Sequence, residues 1–215
     1  MTISTNYVII MENIRREWYL SMENKQSNSI IPRPQWAVPL YSKKQIDKAG
    51  KIISDSNSTD EEKKQALEII NNWRSSHAYP LQIIAKNLRD NNKQALVVQR
   101  LKRLDSIVGK LKRNNNQERM SLYKMQDIGG CRVIVDTIDE VYKAEEQFAK
   151  SRIRHERKHH KDYIKEPKKS GYRSFHVVYK YHSDKNDTYN KNMLIEIQFR
   201  TKLQHLWATA LFTRR

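Results

Sequence analysis

Apolar residues in the first ninety positions recur at helical spacing. Ile10, Ile14 and Trp18 repeat every four residues, which predicts an amphipathic helix over 7–22. The same reasoning, helped by serine, threonine and acidic residues at capping spacing near Ser58 and Glu61, predicts further helices over 43–54, 59–75 and 81–90. A polar segment punctuated by prolines, 24–39, follows the first helix.

The pattern after residue 92 alternates between strand and helix. Strands are predicted over 95–99, 125–136, 175–181 and 193–200, and helices over 104–113, 137–150 and 203–212. In 193–200 the residues Ile195, Ile197 and Phe199 share one face, whereas Glu196, Gln198 and Arg200 share the other. Three consecutive polar positions on one strand face are unusual for a face that only meets solvent, so they mark a candidate site.

Strands joined by helices indicate the α/β class. We expect a helical N-terminal region over 1–92, packed on a catalytic domain over 93–215.

Composition limits the function classes. The chain has 215 residues, and its 41 Lys and Arg against 24 Asp and Glu give a formal net charge of +17. A charge of that size favours nucleic acid or another polyanion as partner or substrate. No apolar run reaches the length of a membrane span, and the one cysteine, Cys131, lies in an apolar run typical of a buried strand. We therefore expect no membrane association, a buried unreactive thiol and a reducing cytoplasmic location.

The segment 161–176 has the composition of a phosphate-binding loop that leads into a strand. Gly171 permits backbone conformations closed to other residues, and Tyr172 offers a flat face for a base. Cationic side chains are concentrated in the same segment: Lys161, Lys165, Lys168, Lys169 and Arg173. A solvated basic hairpin loop is the alternative.

Two carboxylates have the chemistry of a magnesium site. Asp127 lies at the mouth of one predicted strand and Glu196 lies on another, so neighbouring strands would bring hard oxygen ligands together beside substrate phosphates. The cations available to grip a triphosphate are Arg100, Lys102, Lys110 and Arg132. A structural network of salt bridges is the alternative for any one of these residues.

Four blocks in order resemble the RelA/SpoT synthetase domain. They are Arg100-x-Lys102-x-x-x-Ser106-x-x-x-Lys110, Asp127-Ile-Gly-Gly-Cys-Arg132, Lys161-Asp-Tyr-Ile with Gly171-Tyr172-Arg-Ser-x-His176, and Glu196-x-Gln198-x-Arg200-Thr201. The resemblance implies a mixed β-sheet flanked by helices, related to nucleotidyltransferases. It also implies a Mg²⁺-dependent transfer of the β,γ-pyrophosphate of ATP to a ribose 3′-hydroxyl.

The resemblance also implies residue roles. ATP ligands would be Arg100, Lys102, Ser106, Lys110 and Arg132, and the catalytic metal pair would be Asp127 and Glu196. The acceptor would be bound by Lys161 and by Tyr172, the stacking platform. His176, Gln198 and Arg200 would bind the acceptor as well or support the residues that do. Glu196 is the candidate acceptor of the hydroxyl proton.

A looser resemblance concerns the acceptor. The segments 41–50 and 73–80 are similar to the N-terminal part of the toxic small alarmone synthetases, which modify the 3′-CCA end of tRNA. Nothing resembles the hydrolase and regulatory domains of long family members, or the C-terminal helices through which alarmone-making relatives form tetramers. We therefore expect a small stand-alone synthetase, a monomer or a complex with a protein antitoxin, that modifies tRNA as a toxin.

Two alternatives remain. One is a small alarmone synthetase that makes (p)ppGpp or (p)ppApp from ATP and guanine or adenine nucleotides. The other is an RNA-binding module that has kept the fold and lost the chemistry.

Overall fold

The computed structural model describes residues 36–113 and 120–213. The helix predicted over 7–22 lies outside the described residues, and so does the loop predicted over 114–118. Within the described ranges the predicted order of helices and strands is confirmed, with one additional strand.

Among the described residues, three helices precede the sheet: α1 (Lys43–Ser54), α2 (Asp60–Ser76) and α3 (Ala78–Asn91). Each of the first two begins with a capping box, in which the N-cap side chain and a residue three positions later bond each other's backbone N–H. The cap of α2 is Thr59 with Glu62, one residue later than the expected Ser58 with Glu61. Helix α3 begins before the predicted 81, because Pro80 fits into its first turn, where the missing N–H has no helical partner to lose.

The part of the chain that the structure describes forms a sheet of five strands: β1 (Leu96–Leu101), β2 (Gly129–Val135), β3 (Glu156–Asp162), β4 (Phe175–Lys180) and β5 (Leu194–Thr201). Their order is β1-β2-β5-β4-β3, in which β2 and β5 are parallel and the other neighbouring pairs are antiparallel. Helices α4 (Leu104–Arg113), α5 (Ile138–Lys150) and α6 (Lys202–Thr213) complete the chain, with a 3₁₀ turn at Asp187–Tyr189. The fold is therefore the expected mixed sheet flanked by helices.

Strand β3 was not predicted from the sequence, which indicated only a basic stretch leading into a loop. Its residues carry no apolar alternation, and all of them except Asp162 are exposed. The strand forms by antiparallel pairing with β4, whose pattern of buried residues is strong. Tertiary pairing, which the local sequence does not encode, thus decides the conformation of β3.

The two faces of the sheet differ. Odd-numbered residues of β5 and β4, such as Ile195, Ile197 and Val177, are buried in the core. Helices α3 and α5 contact β1, β2 and β5, while α6 packs against β5 and β2. The even-numbered residues of β5 share the opposite face with His176 of β4, and this is the face on which the predicted site residues lie.

The N-terminal helices contribute to the same hydrophobic core as the sheet. Ile46, Ile70 and Ile84 belong to one buried cluster with Val133 and Ile197. The proposed domain boundary near residue 92 stays a prediction. No helix among the described residues is both long enough and apolar enough to cross a membrane.

Two buried groups show how strongly the core penalises charge. The Cys131 thiol is buried, and burial raises its pKa to about 12, which agrees with the expected unreactive thiol. Burial also lowers the pKa of His77 to about 4, although its hydrogen bond to the Trp73 carbonyl acts in the opposite direction. Both groups are therefore neutral near pH 7.

Candidate functional site

Strand register sets the predicted residues in rows across the sheet. Arg132 of β2 lies opposite Gln198 of β5, Gln198 lies opposite His176 of β4, and His176 lies opposite Lys161 of β3. These four side chains therefore form one row on a single face. The row holds one residue expected to bind ATP and three expected to bind the acceptor.

The next row joins Arg100, Gly130 and Glu196. Gly130 has no side chain, so the sheet surface between Arg100 and Glu196 is not covered at this position. A glycine at this point of a strand allows close approach of a ligand to the backbone. Arg100 itself is exposed on the edge strand β1.

Asp127 lies two residues before β2 and is held by two lysines. Its Oδ2 is 3.0 Å from Lys102 Nζ, and its Oδ1 is 2.9 Å from Lys110 Nζ. Lys110 reaches the carboxylate from α4, whereas Lys102 follows β1 directly. Burial would raise the pKa of the Asp127 carboxyl, but the hydrogen bonds and charges of the two lysines outweigh burial and lower the pKa. The structure thus joins three predicted residues in one ion-paired cluster.

Glu196 is held on both oxygens by its neighbours. Its Oε1 is 3.0 Å from His176 Nδ1, and its Oε2 accepts a 2.7 Å hydrogen bond from Gln198 Nε2. Burial acts to raise the pKa of Glu196, and the bonds from His176 and Gln198 lower it overall, while the charge of Asp127 opposes them. The hydrogen bonds to Glu196 therefore favour its charged carboxylate form.

Tyr172 is more enclosed than a free stacking platform. The residue is 7% exposed, and its hydroxyl lies 2.8 Å from His176 Nε2 and 2.7 Å from an Arg200 guanidinium nitrogen. Lys168 Nζ lies 5.0 Å from the ring centroid and 4.5 Å from the centroid of Tyr163. A base that stacks on Tyr172 would therefore have to displace the Lys168 ammonium group from the ring face.

Lys168 belongs to the loop between β3 and β4, and the backbone of that loop is shaped by local contacts. The Asp162 carboxylate accepts hydrogen bonds from the backbone N–H of Ile164 and Lys165 at 3.0 and 3.1 Å. Gly171 has φ +76°, in the left-handed region, so the conformational freedom expected at this glycine is used. A Cβ added at Gly171 would lie 3.5 Å from Trp207 Nε1, so the first turns of α6 border this loop.

The remaining predicted residues lie at the margins of the site. Ser106 lies on α4 one turn before Lys110, so both belong to the same side of that helix. Lys161 is exposed on the edge strand β3. Arg132 Nε lies 3.4 Å from Gln198 Oε1, and burial together with the charge of Arg100 lowers the pKa of its guanidinium.

The oxygen atoms of Asp127 and Glu196 suit a hard divalent cation such as Mg²⁺. A bound cation would offset the unfavourable effect that the charge of Asp127 has on the Glu196 carboxylate, and each carboxylate oxygen keeps lone pairs beyond its present partners. Among the described residues, no group of three or more His, Cys, Asp or Glu could hold a metal ion. A cation at this site would therefore take its other ligands from substrate phosphates and water.

Two residues near the site, Gln126 and His205, were missed by the sequence analysis, and Lys168 was expected there only as a loop cation and not as a partner of aromatic rings. The Gln126 side chain, next to Asp127, forms a 3.0 Å hydrogen bond with His159 of β3. The pKa of His205 is lowered by burial and by the charges of Arg132 and Arg200. No periodic signal marks these residues, because their proximity arises from tertiary packing.

Comparison with known protein families matches residues 99–213 to the region found in RelA / SpoT proteins, which is more than half of the chain. The chain belongs to the RelA/SpoT family. This confirms the resemblance stated from the four blocks. The looser resemblance to the toxic branch stays a prediction.

Comparison with an individual curated relative gives the same family. GTP pyrophosphokinase YjbM of Bacillus subtilis is 34% identical over 121 residues, which are 56% of this chain and 56% of that protein. The chain thus matches little more than half the length of this curated relative.

Solved structures support the fold. The small alarmone synthetase 1 from Bacillus subtilis, bound to its product pppGpp, superposes with a TM-score of 0.55 at 28% identity, covering 65% of this chain and 74% of that chain. A GTP pyrophosphokinase family protein from Streptococcus pneumoniae gives 0.52 at 32% identity, covering 72% and 76%.

Proposed function

We propose that this protein is an ATP-dependent pyrophosphokinase that transfers the β,γ-pyrophosphate of ATP to a ribose 3′-hydroxyl. The observation that carries the proposal is the pair Asp127 and Glu196. Asp127 is held by Lys102 and Lys110, and Glu196 is bonded to His176, which in turn bonds Tyr172. The two carboxylates therefore have expected phosphate-binding cations on one side and expected acceptor-side residues on the other. Membership of the RelA/SpoT family supports the same reaction.

Each group has a defined task in this proposal. The triphosphate of ATP is bound by four cationic side chains, those of Arg100, Lys102, Lys110 and Arg132. Their positive charge favours departure of AMP as the leaving group. The 3′-oxygen of the acceptor forms a bond to the β-phosphorus as the α–β bridge breaks, and the hydroxyl proton passes to the Glu196 carboxylate. Asp127 and Glu196 would hold Mg²⁺, which would supply positive charge to neutralise the charge that develops during transfer.

For the acceptor we propose the 3′ end of tRNA. Support comes from the surface beyond the pocket, where the exposed β3 and the following loop carry basic side chains next to the acceptor side: Arg157, Lys158, Lys161, Lys165, Lys168, Lys169 and Arg173. A mononucleotide needs only a few cations, whereas a polynucleotide contacts many backbone phosphates. The net charge of +17 agrees with the larger substrate.

A free guanine nucleotide is the second candidate acceptor. The observation in its favour is that the relatives are GTP pyrophosphokinase YjbM and a small alarmone synthetase bound to pppGpp. In that case the product is an alarmone, and the basic surface serves another purpose.

The test is transfer of label from γ-³²P-ATP by purified protein to deacylated tRNA, to GDP and GTP, or to adenine nucleotides. We expect label at the RNA 3′ end and release of AMP. Asp127→Asn and Glu196→Gln keep the side-chain volume but remove the charge, so transfer should fall by at least about 100-fold. Glu68→Gln, at an exposed position of α2, is the matched control and should retain full transfer.

Other outcomes have clear meanings. Label found only in guanosine or adenosine polyphosphates would replace tRNA by a nucleotide acceptor. Absence of AMP release with every acceptor would support an RNA-binding module without chemistry. Near-normal turnover by either carboxamide variant would show that the metal pair is assigned to the wrong residues.

A toxin role with a protein antitoxin as partner extends the tRNA proposal. Its support is the similarity of segments 41–50 and 73–80 to toxic synthetases, although Trp73 and His77 within them are buried and therefore also serve packing. Expression of the wild-type protein should arrest growth, and Glu196→Gln should not. Harmless expression of protein that is active in vitro would remove the toxin role and leave the enzymatic proposal intact.

A further inference from the structure

Arg200 is the most enclosed charged residue near the site. It lies on β5 and is only 2% exposed, whereas the cations expected to bind phosphate are half-buried or exposed. Burial is a cost for a guanidinium group, because the charge loses its hydration. Among the described residues the Nε of Arg200 has no hydrogen-bond partner, so the contacts of its terminal nitrogen must offset the cost, and they indicate what Arg200 does.

Both hydrogen-bond partners of Arg200 are site residues. One terminal nitrogen donates to the Tyr172 hydroxyl at 2.7 Å and also to Gln198 Oε1. The guanidinium carbon lies 5.4 Å from the centroid of the Tyr172 ring. Arg200 thus fixes both the hydroxyl of Tyr172 and the amide of Gln198.

These two contacts close a ring of hydrogen bonds through five side chains. Tyr172 joins His176, His176 joins Glu196, Glu196 joins Gln198, Gln198 joins Arg200, and Arg200 returns to Tyr172. The directions follow from counting protons. Because Tyr172 accepts from Arg200, its own proton is free to bond His176 Nε2, which leaves the Nδ1 proton of the imidazole for Glu196.

We propose that Arg200 is a positioning residue that does not touch the acceptor but holds Tyr172 and Gln198, and through them orients His176 and the Glu196 carboxylate. Of the two roles that the sequence resemblance left open for Arg200, contact with the acceptor or support of the site, this is the second. The inference rests on the proposed transfer reaction for its kinetic consequence. Its structural part concerns the protein without substrate and can be tested separately.

The geometry explains why an arginine occupies this position. A single planar nitrogen with two protons in fixed directions serves two acceptors at once, and the flat guanidinium lies beside the Tyr172 ring. A lysine ammonium rotates freely and lacks that fixed fork. Arg200→Lys should therefore restore only part of what Arg200→Met removes.

The first test reads the protonation pattern of His176 without any substrate. Imidazole ¹⁵N shifts of labelled protein distinguish a protonated Nδ1 from a protonated Nε2, and the His176→Gln spectrum identifies the signals of His176 among the seven histidines. In the wild type we expect the proton on Nδ1. In Arg200→Met and in Tyr172→Phe, which both break the ring, the two nitrogen shifts should move towards averaged values.

The second test uses kinetics. Groups that orient reacting residues typically change activity by 10- to 100-fold, so kcat of Arg200→Met should fall by roughly that factor while the acceptor KM changes less than about threefold. Arg200→Lys should recover part of kcat. Tyr172→Phe keeps the ring face but loses the hydroxyl, so combining it with Arg200→Lys should add little further loss.

Three results would overturn the inference: unchanged His176 shifts in Arg200→Met, a raised acceptor KM with unchanged kcat, or additive losses in the double variant. If circular dichroism shows that Arg200→Met does not fold, both tests are made with Arg200→Lys and Tyr172→Phe. If the wild type transfers nothing to any acceptor, the proposed reaction fails, and the shifts still decide whether Arg200 holds the ring.

Discussion

Asp127 shows that one residue can satisfy a structural and a chemical interpretation together. Its two lysine partners form the salt-bridge network considered as the alternative to a metal site. The same lysines are the expected triphosphate ligands, so arrival of the phosphates would draw them away and free the carboxylate for a cation. The ion pairs therefore keep the charged groups of the site compensated before substrate binds.

His77 makes a prediction about stability and pH. The imidazole is buried, and among the described residues its Nε2 has no hydrogen-bond partner, so the native state disfavours the second proton. Its pKa is about 4 in the folded protein, against an ordinary value near 6.5 in the unfolded chain. Below pH 6.5 the unfolded chain gains a proton that the native state does not, so stability falls until pH reaches about 4.

The measurement is urea denaturation of the wild type and of His77→Gln between pH 4 and 7.5. The glutamine amide can still donate to the Trp73 carbonyl but does not titrate. The wild type should lose about 3 kcal/mol more than the variant between pH 6.5 and 4, with no difference in slope above pH 7. Parallel curves throughout would mean that His77 is accessible to protons in the folded protein.

At the scale of elements, the strands with an apolar face were predictable and β3 was not. Alternation in 194–201 identified Glu196, Gln198 and Arg200 as neighbours on one face, because a period of two is a property of any extended backbone. The row from Arg132 to Lys161 required the strand order and register, which arise from pairing between distant segments. The closed ring of hydrogen bonds through Tyr172, His176, Glu196, Gln198 and Arg200 is likewise not encoded by local sequence.

The loop between β3 and β4 gives a prediction about Gly171. A residue with a Cβ at φ +76° costs on the order of 1 to 2 kcal/mol, and the new methyl group would also contact the Trp207 indole at ordinary van der Waals distance. Gly171→Ala should therefore change the loop more than the core. We expect a several-fold higher acceptor KM with a melting temperature lowered by only a few degrees.

Two further glycine variants control this experiment. Gly109→Ala lies on α4 with nothing within 4 Å of the added Cβ, so it should leave stability unchanged or raise it by up to about 1 kcal/mol. Gly171→Asn should recover part of the loss, because asparagine tolerates left-handed conformations better than alanine. Equal acceptor KM for Gly171→Ala and wild type would show that the loop adapts without its glycine.

At the scale of the whole molecule, charge is the property that separates the two acceptors. A polynucleotide that neutralises several phosphates releases counterions, so its affinity falls steeply with salt, whereas a mononucleotide in a pocket depends on salt weakly. With tRNA as acceptor, we expect kcat/KM to fall by at least 10-fold between 50 and 200 mM salt, and by much less with GDP.

Lys169→Gln combined with Lys165→Gln provides the matched variant, because both lysines are exposed on the loop that follows β3. In this double variant, kcat/KM with tRNA should depend less on salt concentration, and the salt dependence of kcat/KM with GDP should stay unchanged. Equal salt dependence for both acceptors would remove the charge argument for tRNA.

Strand β3 occupies one end of the sheet, so its outer edge has no neighbouring strand among residues 36–113 and 120–213. An exposed strand edge of this kind can pair with a strand of another copy of the chain. Charged side chains on the edge strand usually prevent such self-association. Six of its seven residues are exposed, and every one is charged or a histidine. The residues that we propose for RNA contact would therefore also oppose edge-to-edge pairing between copies of the chain. Replacing them by apolar residues would risk fibrous aggregates, and glutamine or glutamate is the safer substitution.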